Sequence, residues 1–339
     1  MPGRAPTVSD FTEAELVARI RAHVPPPPDW LVVGIGDDGA VVEPERNRLE
    51  VLSVDALVEG VHFDRHLTPP DAVGHRALAV NLSDLAAMGA KPRLALLSLA
   101  LPPDLTRSDF DAMVSGLGTL AARHRLHLVG GNLTRSSGPL MIDVTVAGTC
   151  KRRQTLTRRG ARPGDALYVT GSIGAAAAGL QMLKRADADR GRDPSRGAAC
   201  VKRYLYPEPR VRIGLLLARN RAASACMDLS DGLADAVHGI AEASGVGAAI
   251  DEGALPIDAG AREWFETGGG DAVIEAMTLG DDYELAFAAR PGWGGRLRAA
   301  SRHGDAPLTK IGVCTADPDV VLRRAGGDTL MPHGYRHFR

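Results

Sequence analysis

Apolar residues recur along the chain with two spacings, and these predict a mixture of helices and strands. In residues 76–88 the apolar side chains cover most of the helical circumference, which predicts a helix buried on several sides. Residues 141–148 alternate between apolar and polar side chains and therefore predict a strand. A polar segment at 187–196 predicts a loop. The other predicted helices cover residues 11–23, 108–124, 175–186 and 233–243, and the other predicted strands cover 30–33, 49–55, 94–101, 126–129 and 166–170.

Several of these apolar segments carry a carboxylate where an apolar side chain is expected. Asp84 lies within the buried helix, three residues after Asn81 and on the same face. An ionised carboxylate is costly to bury unless a cation or several hydrogen-bond donors meet it. The alternative is that Asn81 and Asp84 only bond nearby backbone groups. Further acids occupy strand tips, helix starts or glycine-rich turns, namely Asp37, Asp38, Asp55, Asp228, Asp231 and Asp281.

Two acidic segments lie late in the chain. A short apolar run ends at Asp228, and Ser230 or Asp231 would be an ordinary N-cap for the helix at 233–243. Such a cap explains one acid but leaves Asp228 unexplained. Asp281 precedes a predicted strand, in which alternation places on one face Tyr283, Leu285 and Phe287.

The number of acids indicates the chemistry. Magnesium prefers oxygen ligands and keeps several waters, so several ions among these acids could neutralise a nucleoside triphosphate and its transferred group. A glycosidase needs two carboxylates beside an exposed sugar cleft, not seven spread along a chain. The residues therefore predict phosphoryl transfer.

Two familiar motifs are disfavoured. Residues 34–39 match the Gly-x-Gly-x-x-Gly dinucleotide pattern, but a strand-like segment broken by Pro44 follows where a helix is required. The paired Asp37 and Asp38 would repel a pyrophosphate, and in a glycine-rich turn they are better suited to a hard cation. The spacing of His62 and His66 suits zinc, but no third nitrogen or sulfur ligand accompanies them. His62 is expected to contact a ligand or to lie at the surface.

Length and charge limit the other possibilities. A chain of 339 residues predicts two domains, which we place at 1–150 and 151–339, with a basic segment at 151–165 marking the boundary. The 40 basic and 41 acidic residues give no overall field for nucleic acid or an anionic membrane. Four cysteines without paired spacing and no apolar leader predict a cytoplasmic protein with no membrane partner. Arg158 in the basic segment could hold phosphate.

Five motifs together resemble the thiamine-monophosphate kinase family, in the aminoimidazole ribonucleotide synthetase-like superfamily. The resemblance extends from about residue 11 to the C-terminus, and it lies in residues 34–38, 58–63, 81–90, 228–233 and 282–285. It implies a two-domain α+β fold, in which each domain has a mixed or antiparallel sheet covered by helices. It also implies a homodimer in which the N-terminal sheets pair into a barrel.

The resemblance further implies an activity, namely ATP-dependent phosphorylation of thiamine phosphate to thiamine diphosphate. Transfer would be direct and in line, with several Mg²⁺ ions and with ATP as co-substrate. The N-terminal domain would bind ATP and metal and form the dimer, and the C-terminal domain would complete the active site. Because the attacking phosphate is already anionic, no side-chain base is needed.

The family's functional residues match positions of this chain one by one. The implied metal positions are Asp38, Ser53, Asp55, Asp84, Asn132, Asp228 and Asp231, to which the glycine-rich turn adds Asp37. Asp84, Asp228 and Asp231 are also the implied catalytic residues. The ATP positions are Gly131, Asn132, Arg158 and Ser230, and the positions for thiamine phosphate are His62, Asp281 and Tyr335.

Four positions depart from the family pattern. Asn132 and Leu133 stand where an aspartate and a threonine are usual, Val54 stands where a threonine is common, and Asp281 stands where a glutamate is usual. An amide oxygen still binds magnesium, but one negative charge is lost. Two alternatives therefore stay open: a relative that binds nucleotide or thiamine phosphate without turnover, and a superfamily synthetase with another substrate. Residues 58–63 and the C-terminal Gly-Tyr-Arg-His-Phe favour thiamine phosphate.

Overall fold

A computed structural model describes residues 4–185 and 194–334. Contacts within the chain define two compact units. The first unit comprises Met1–Leu85 and Lys91–Lys151, and the second comprises Ala86–Ala90 and Arg152–Arg339. Ala86–Ala90 belong to the second unit because Gly214 of that unit packs closely on Ala86. A Cβ atom at Gly214 would lie 2.2 Å from the carbonyl oxygen of Ala86.

The first unit is built on a four-stranded sheet. Its strands are β3 (Leu49–Val58), β4 (Lys91–Leu101), β5 (His127–Arg135) and β6 (Met141–Cys150). They lie in the order β3-β6-β4-β5, with β4 and β5 parallel and the other pairs antiparallel. A separate hairpin consists of β1 (Leu31–Val33) and β2 (Val41–Val42). The helices are α1 (Glu13–His23), α2 (Pro70–Ala87) and α3 (Arg107–His124).

The two faces of this sheet differ in burial. The α2 helix packs on one face, where Leu85 lies against Gly148 and buried side chains such as Leu57 point inward. The opposite face, which we call the outer face, carries exposed large apolar side chains. Leu52 and Val54 are 68% and 56% exposed. The prediction that α2 is buried on several sides is confirmed, because the four consecutive residues 77–80, which point in different directions around the helix, are each at most 5% exposed.

The second unit is built on a seven-stranded sheet in the order β13-β12-β9-β11-β7-β10-β8, in which β9 and β12 are parallel and the other pairs antiparallel. Its strands are β7 (Ala166–Thr170), β8 (Ala225–Asp228), β9 (Gly247–Asp251), β10 (Leu285–Ala289), β11 (Leu308–Thr315), β12 (Val320–Arg324) and β13 (Gly327–Leu330). Its helices are α4 (Ala175–Lys184), α5 (Pro194–Leu205), α6 (Val211–Asn220), α7 (Leu233–Ser244), α8 (Ala259–Thr267), α9 (Ala272–Thr278) and α10 (Gly294–His303). Both β8 and β10 are buried along their whole length. The acidic segment after β8 and the one before β10 therefore each adjoin a buried strand.

Three local predictions need correction. The segment at 187–196 is not all loop, because α5 begins at Pro194, a residue well suited to a first helical position; residues 187–193 lie outside the described chain. Alternation does not extend to Tyr283, because β10 begins only at Leu285 and Tyr283 has a φ of 50°. Neither Ser230 nor Asp231 caps α7, since the N-cap is Gly232 with a φ of 103°.

The cysteines and the helices each show one further feature of the described chain. All four cysteines are buried, and none of them forms a disulfide within the part of the chain that the structure describes. Within the described ranges, every helix is too short or too polar to cross a membrane.

Candidate functional site

In the first unit, Asp84 faces β3 rather than an unbroken apolar core. The hydroxyl of Ser53 donates a hydrogen bond to Oδ2 of Asp84. Asp55 lies two residues further along β3 and therefore on the same face of the sheet as Ser53. The structure thus brings together three of the predicted metal positions at the interface between α2 and β3.

Asn81 is fully buried beside this group, one helical turn before Asp84. Its Nδ2 donates to the carbonyl oxygen of Ala77 at 3.0 Å, so a backbone partner accounts for one of the two polar atoms of the side chain. Its Oδ1 has no hydrogen-bond donor among the described residues. A buried acceptor without a donor calls for a water molecule or an ion as its partner. The side-chain atoms that could bind a metal ion here are all oxygen atoms, which suits a hard cation such as Mg²⁺.

A second group of predicted residues lines a cavity of about 880 Å³ within the first unit. The cavity lies between α1, the glycine-rich turn and the outer face of β4, β5 and β6. Its walls include Asp37, Asp38, Gly131 and Asn132. The backbone N–H of Asp38 donates to Oδ1 of Asp37 at 2.9 Å, which fixes the conformation of the acidic turn. Gly131 is required, because a Cβ atom there would lie 1.9 Å from a carbonyl oxygen of β4.

Sequence reasoning missed two carboxylates in this cavity, those of Glu13 and Asp143. Ser98 on β4 pairs with Asn132 on β5 and with Asp143 on β6, so these three side chains form one row on the outer face. Asp143 lines the same cavity as Asn132. The available signal was alternation along 141–148, which places Asp143 opposite the buried face of its strand.

The two groups in the first unit lie on opposite faces of its sheet. Ser53 and Asp84 are on the face that α2 covers, whereas Asp38 and Asn132 face the cavity on the outer side. Throughout residues 4–185 and 194–334, no group of three or more His, Cys, Asp or Glu side chains is arranged to hold a metal ion. The convergence of all the acids on shared ions therefore stays a prediction, since carboxylates repel one another unless cations lie between them.

In the second unit, two acidic segments are hydrogen-bonded to each other. Strand β8 ends at the buried Asp228, and the chain then passes through Ser230 and Asp231 towards α7. The backbone N–H of Asp281 donates to the carbonyl oxygen of Ser230 at 2.8 Å. The N–H of Tyr283 donates to the carbonyl oxygen of Leu229 at 3.0 Å. A predicted ATP residue and a predicted substrate residue are thereby adjacent.

Behind these segments lies a buried ionic network that the sequence did not predict. Glu284 has no exposed surface and accepts hydrogen bonds from Arg210 at 2.6 and 2.5 Å, from Arg203 at 2.8 Å and from Thr170 at 2.6 Å. Burial acts to lower the pKa of Arg210, but the hydrogen bonds and charge of Glu284 outweigh it, and the pKa is raised. The signal in the sequence was a glutamate at the start of the apolar run 285–289.

Asp282, two residues before Glu284, is also buried. Its carboxylate accepts hydrogen bonds from the backbone N–H groups of Gly174 at 2.6 Å and Ala176 at 3.2 Å, at the N-terminus of α4. Burial raises the pKa of Asp282 to about 7, although these N–H groups and Arg203 act to lower it. The carboxylate thus connects the segment before β10 to the start of α4.

Two of the remaining predicted residues, His62 and Arg158, belong to different units. Nδ1 of His62 accepts a hydrogen bond from the backbone N–H of Val58 at 3.0 Å, which leaves that nitrogen unsuited to zinc. Arg158 lies in the exposed connection that opens the second unit, where its carbonyl oxygen accepts a hydrogen bond from Ser244. Tyr335 lies outside the described residues.

Comparison with known proteins identifies this architecture. Residues 36–150 match the family model described as AIR synthase related protein, N-terminal domain, and residues 162–324 match the model of the C-terminal domain. The two helix-covered sheets are therefore those of an AIR synthase related protein.

More specific matches come from individual relatives. Thiamine-monophosphate kinase from Escherichia coli K12 is 40% identical over 310 residues, which cover 90% of this chain and 92% of the relative. The crystal structure of thiamine-monophosphate kinase from Stenotrophomonas maltophilia K279a is 37% identical, with a TM-score of 0.82 over 92% of this chain and 96% of that one. AaThiL complexed with AMPPCP and TMP is 30% identical, with a TM-score of 0.76 over 99% and 100% of the two chains. The chain belongs to the thiamine-monophosphate kinase family.

Proposed function

We propose that this protein transfers the γ-phosphoryl group of ATP to thiamine phosphate and so forms thiamine diphosphate. The observation that carries the proposal is the match to thiamine-monophosphate kinases along nearly the whole chain. A related protein of the same fold has been crystallised with AMPPCP and TMP. The hydrogen bond between Asp281 and Ser230 supports the proposal, because it places a candidate substrate residue beside a candidate ATP residue.

Magnesium is the proposed metal, and the donor atoms fit it. Ser53, Asp55 and Asp84 would hold ions from one face of the first sheet, where the buried Oδ1 of Asn81 has no donor among the described residues. The remaining proposed ligands are Asp37, Asp38, Asn132, Asp228 and Asp231. When bound, the ions supply positive charge that neutralises the phosphates during transfer. Asp84, Asp228 and Asp231 are the proposed catalytic residues.

The side chains themselves act by binding and orientation. Arg158 can pair with phosphate oxygens in two parallel hydrogen bonds, and Gly131 lets the nucleotide approach the β5 backbone. Ser230 completes the proposed ATP contacts, while His62, Asp281 and Tyr335 would hold thiamine phosphate. The attacking phosphate is already anionic, so the chain contributes positioning and charge balance rather than a base.

We also propose a homodimer in which the sheets of the two first units pair into a barrel. The outer face supports this arrangement, because it exposes large apolar side chains on three neighbouring strands. Their exposed fractions are 68% for Leu52, 56% for Val54, 40% for Leu96 and 41% for Met141. Several exposed large apolar side chains on one sheet face are typical of an interface.

The test of the activity is direct. Purified protein with Mg²⁺, ATP and thiamine phosphate is expected to form thiamine diphosphate and ADP in equal amounts, as measured by chromatography. Tight binding of both ligands without product would instead support a non-catalytic relative, which the neutral Asn132 makes the main alternative. Binding of ATP without thiamine phosphate would point to a synthetase with another substrate.

Replacing Asn132 by aspartate is expected to lower the magnesium requirement. An added carboxylate beside an ion contributes on the order of 1.4 kcal/mol, so the Mg²⁺ concentration for half-maximal rate should fall about tenfold. A magnesium titration of the initial rate measures this. The matched control is Thr134→Asp, which puts the same charge two residues along β5 and outside the cavity lining.

An unchanged requirement would mean either that Asn132 is not a ligand or that Asp143, in the same row, already supplies the charge. The double variant Asn132→Asp/Asp143→Asn separates these outcomes. If Asp143 compensates, Asp143→Asn alone raises the requirement, and the double variant restores it.

A further inference from the structure

We propose that Tyr283 is a positioning residue for substrate recognition, whose hydroxyl orients the carboxylate of Asp281 before the ligand binds. This inference rests on the proposed function, which places Asp281 against thiamine phosphate. The hydroxyl of Tyr283 donates a hydrogen bond to Oδ1 of Asp281 at 3.0 Å. Because Tyr283 is only 7% exposed, this hydrogen bond approaches Asp281 from the protein interior.

The contact depends on an unusual backbone conformation. Asp281 has a φ of 71° and Tyr283 a φ of 50°, so two non-glycine residues of one short segment are left-handed. Such residues cost about 1 kcal/mol each and persist only where the surroundings impose them. In a continuous strand, the side chains of Asp281 and Tyr283 would leave the same face of the strand, and the backbone would not turn between them. The two left-handed residues instead form the turn in which the hydroxyl meets the carboxylate.

The surroundings that impose this turn are the two buried carboxylates on either side of Tyr283. Asp282 is fixed by the N–H groups of Gly174 and Ala176 at the start of α4. Glu284 is fixed by Arg210 and by the other members of its network. The residue between them therefore has both neighbours anchored to different parts of the second unit.

Backbone hydrogen bonds complete the support. The N–H of Tyr283 donates to the carbonyl oxygen of Leu229 at 3.0 Å, and the carbonyl oxygen of Glu284 accepts from the N–H of Leu229 at 2.8 Å. Tyr283 is thus held on the segment that continues into Ser230.

The expected benefit is pre-organisation. A carboxylate that is held in one orientation loses less conformational freedom when a ligand binds, which raises affinity. The chemistry suits thiamine phosphate, whose thiazolium ring is a cation and whose aminopyrimidine carries N–H donors. Orientation matters at this position, because Asp281 has one methylene fewer than the glutamate usual in the family.

The test uses Tyr283→Phe, which removes one hydroxyl and keeps the ring. We expect the KM for thiamine phosphate to rise about tenfold, as for the loss of one hydrogen bond to a charged group. The KM for ATP should stay within about twofold and kcat within about threefold. The matched control is Tyr168→Phe in the same unit, a ring stacked on Phe287 at 5.3 Å, which should change none of these constants.

A second comparison shows whether Tyr283 acts through Asp281. In an Asp281→Ala background, adding Tyr283→Phe should have no further effect on the KM for thiamine phosphate. The proposal is overturned if Tyr283→Phe leaves this KM unchanged, if its effect persists without Asp281, or if both KM values and the melting temperature change together.

The result is distinguishable from a failure of the proposed function. If the unmodified chain makes no thiamine diphosphate but binds thiamine phosphate, calorimetry should show the same tenfold difference between it and Tyr283→Phe. If the unmodified chain does not bind thiamine phosphate, both proposals are wrong.

Discussion

Asp84→Asn is expected to lower kcat for thiamine diphosphate formation by at least about 100-fold, the scale on which a lost electrostatic contact to the reacting group acts. The substitution preserves the shape of the side chain and removes one negative charge from the interface between α2 and β3. Ser53 can still donate to the amide oxygen, so the fold should be retained. Steady-state kinetics at saturating ATP and thiamine phosphate measure the effect.

The same helix provides a control for the loss of charge. Asp71 lies in the first turn of α2, more than three helical turns before Asp84, and Asp71→Asn should leave kcat within about twofold, because a helix-end charge acts only locally. Raising the Mg²⁺ concentration should restore part of the Asp84→Asn rate if Asp84 binds the ion, since a weakened site can be filled by mass action. A loss of less than about threefold would remove Asp84 from the active site.

Local periodicity was enough to predict most elements of the fold. The strand at Ala166–Thr170 was predicted with its observed bounds, and the helix predicted at 233–243 ends one residue later, at Ser244. These elements are set by spacing within a few residues. The burial of α2 followed in the same way, because its apolar residues leave no polar face wide enough to meet solvent.

The sheet faces required more than periodicity. Alternation shows that Ser53 and Asp55 share a face of β3, but not that Asn132 lies on the opposite face of the same sheet. That depends on the strand order β3-β6-β4-β5, in which α3 connects the parallel strands β4 and β5. Motifs that together identify a family can therefore lie on opposite faces of one sheet and form two separate groups.

The turn before β10 could not be predicted for a different reason. Asp281 tolerates the left-handed conformation, but Tyr283 is an aromatic residue that rarely adopts it, so the composition did not place the turn at Tyr283. Glu284 and Arg210 are 74 positions apart, and no local rule pairs them. The N-cap prediction at Ser230 or Asp231 was wrong because Gly232 occupies a position where a Cβ atom would lie 2.7 Å from the carbonyl oxygen of Met277.

Arg210→Met is expected to destabilise the second unit by about 3–5 kcal/mol, the usual cost of removing one partner of a buried ion pair. Glu284 would keep Arg203 and Thr170 but lose two hydrogen bonds inside a site with no exposed surface. Hydrogen–deuterium exchange of the β10 and β7 amides is the suitable measurement, because it reports opening of this unit separately from the rest of the chain. The control is Arg219→Met on the exposed side of α6, with an expected change within about 0.5 kcal/mol.

A double variant distinguishes an ion-pair effect from a packing effect. Replacing both Arg210 and Glu284 by methionine removes the fully buried carboxylate that has lost two of its donors, and Arg203, whose side chain is 22% exposed, can turn to solvent, so the double variant should recover part of the lost stability. If the double variant is as unstable as the sum of the two single variants, the pair has no coupling energy. The rigidity inferred for Tyr283 would then have to come from Asp282 and the backbone hydrogen bonds to Leu229, since these are the contacts that remain.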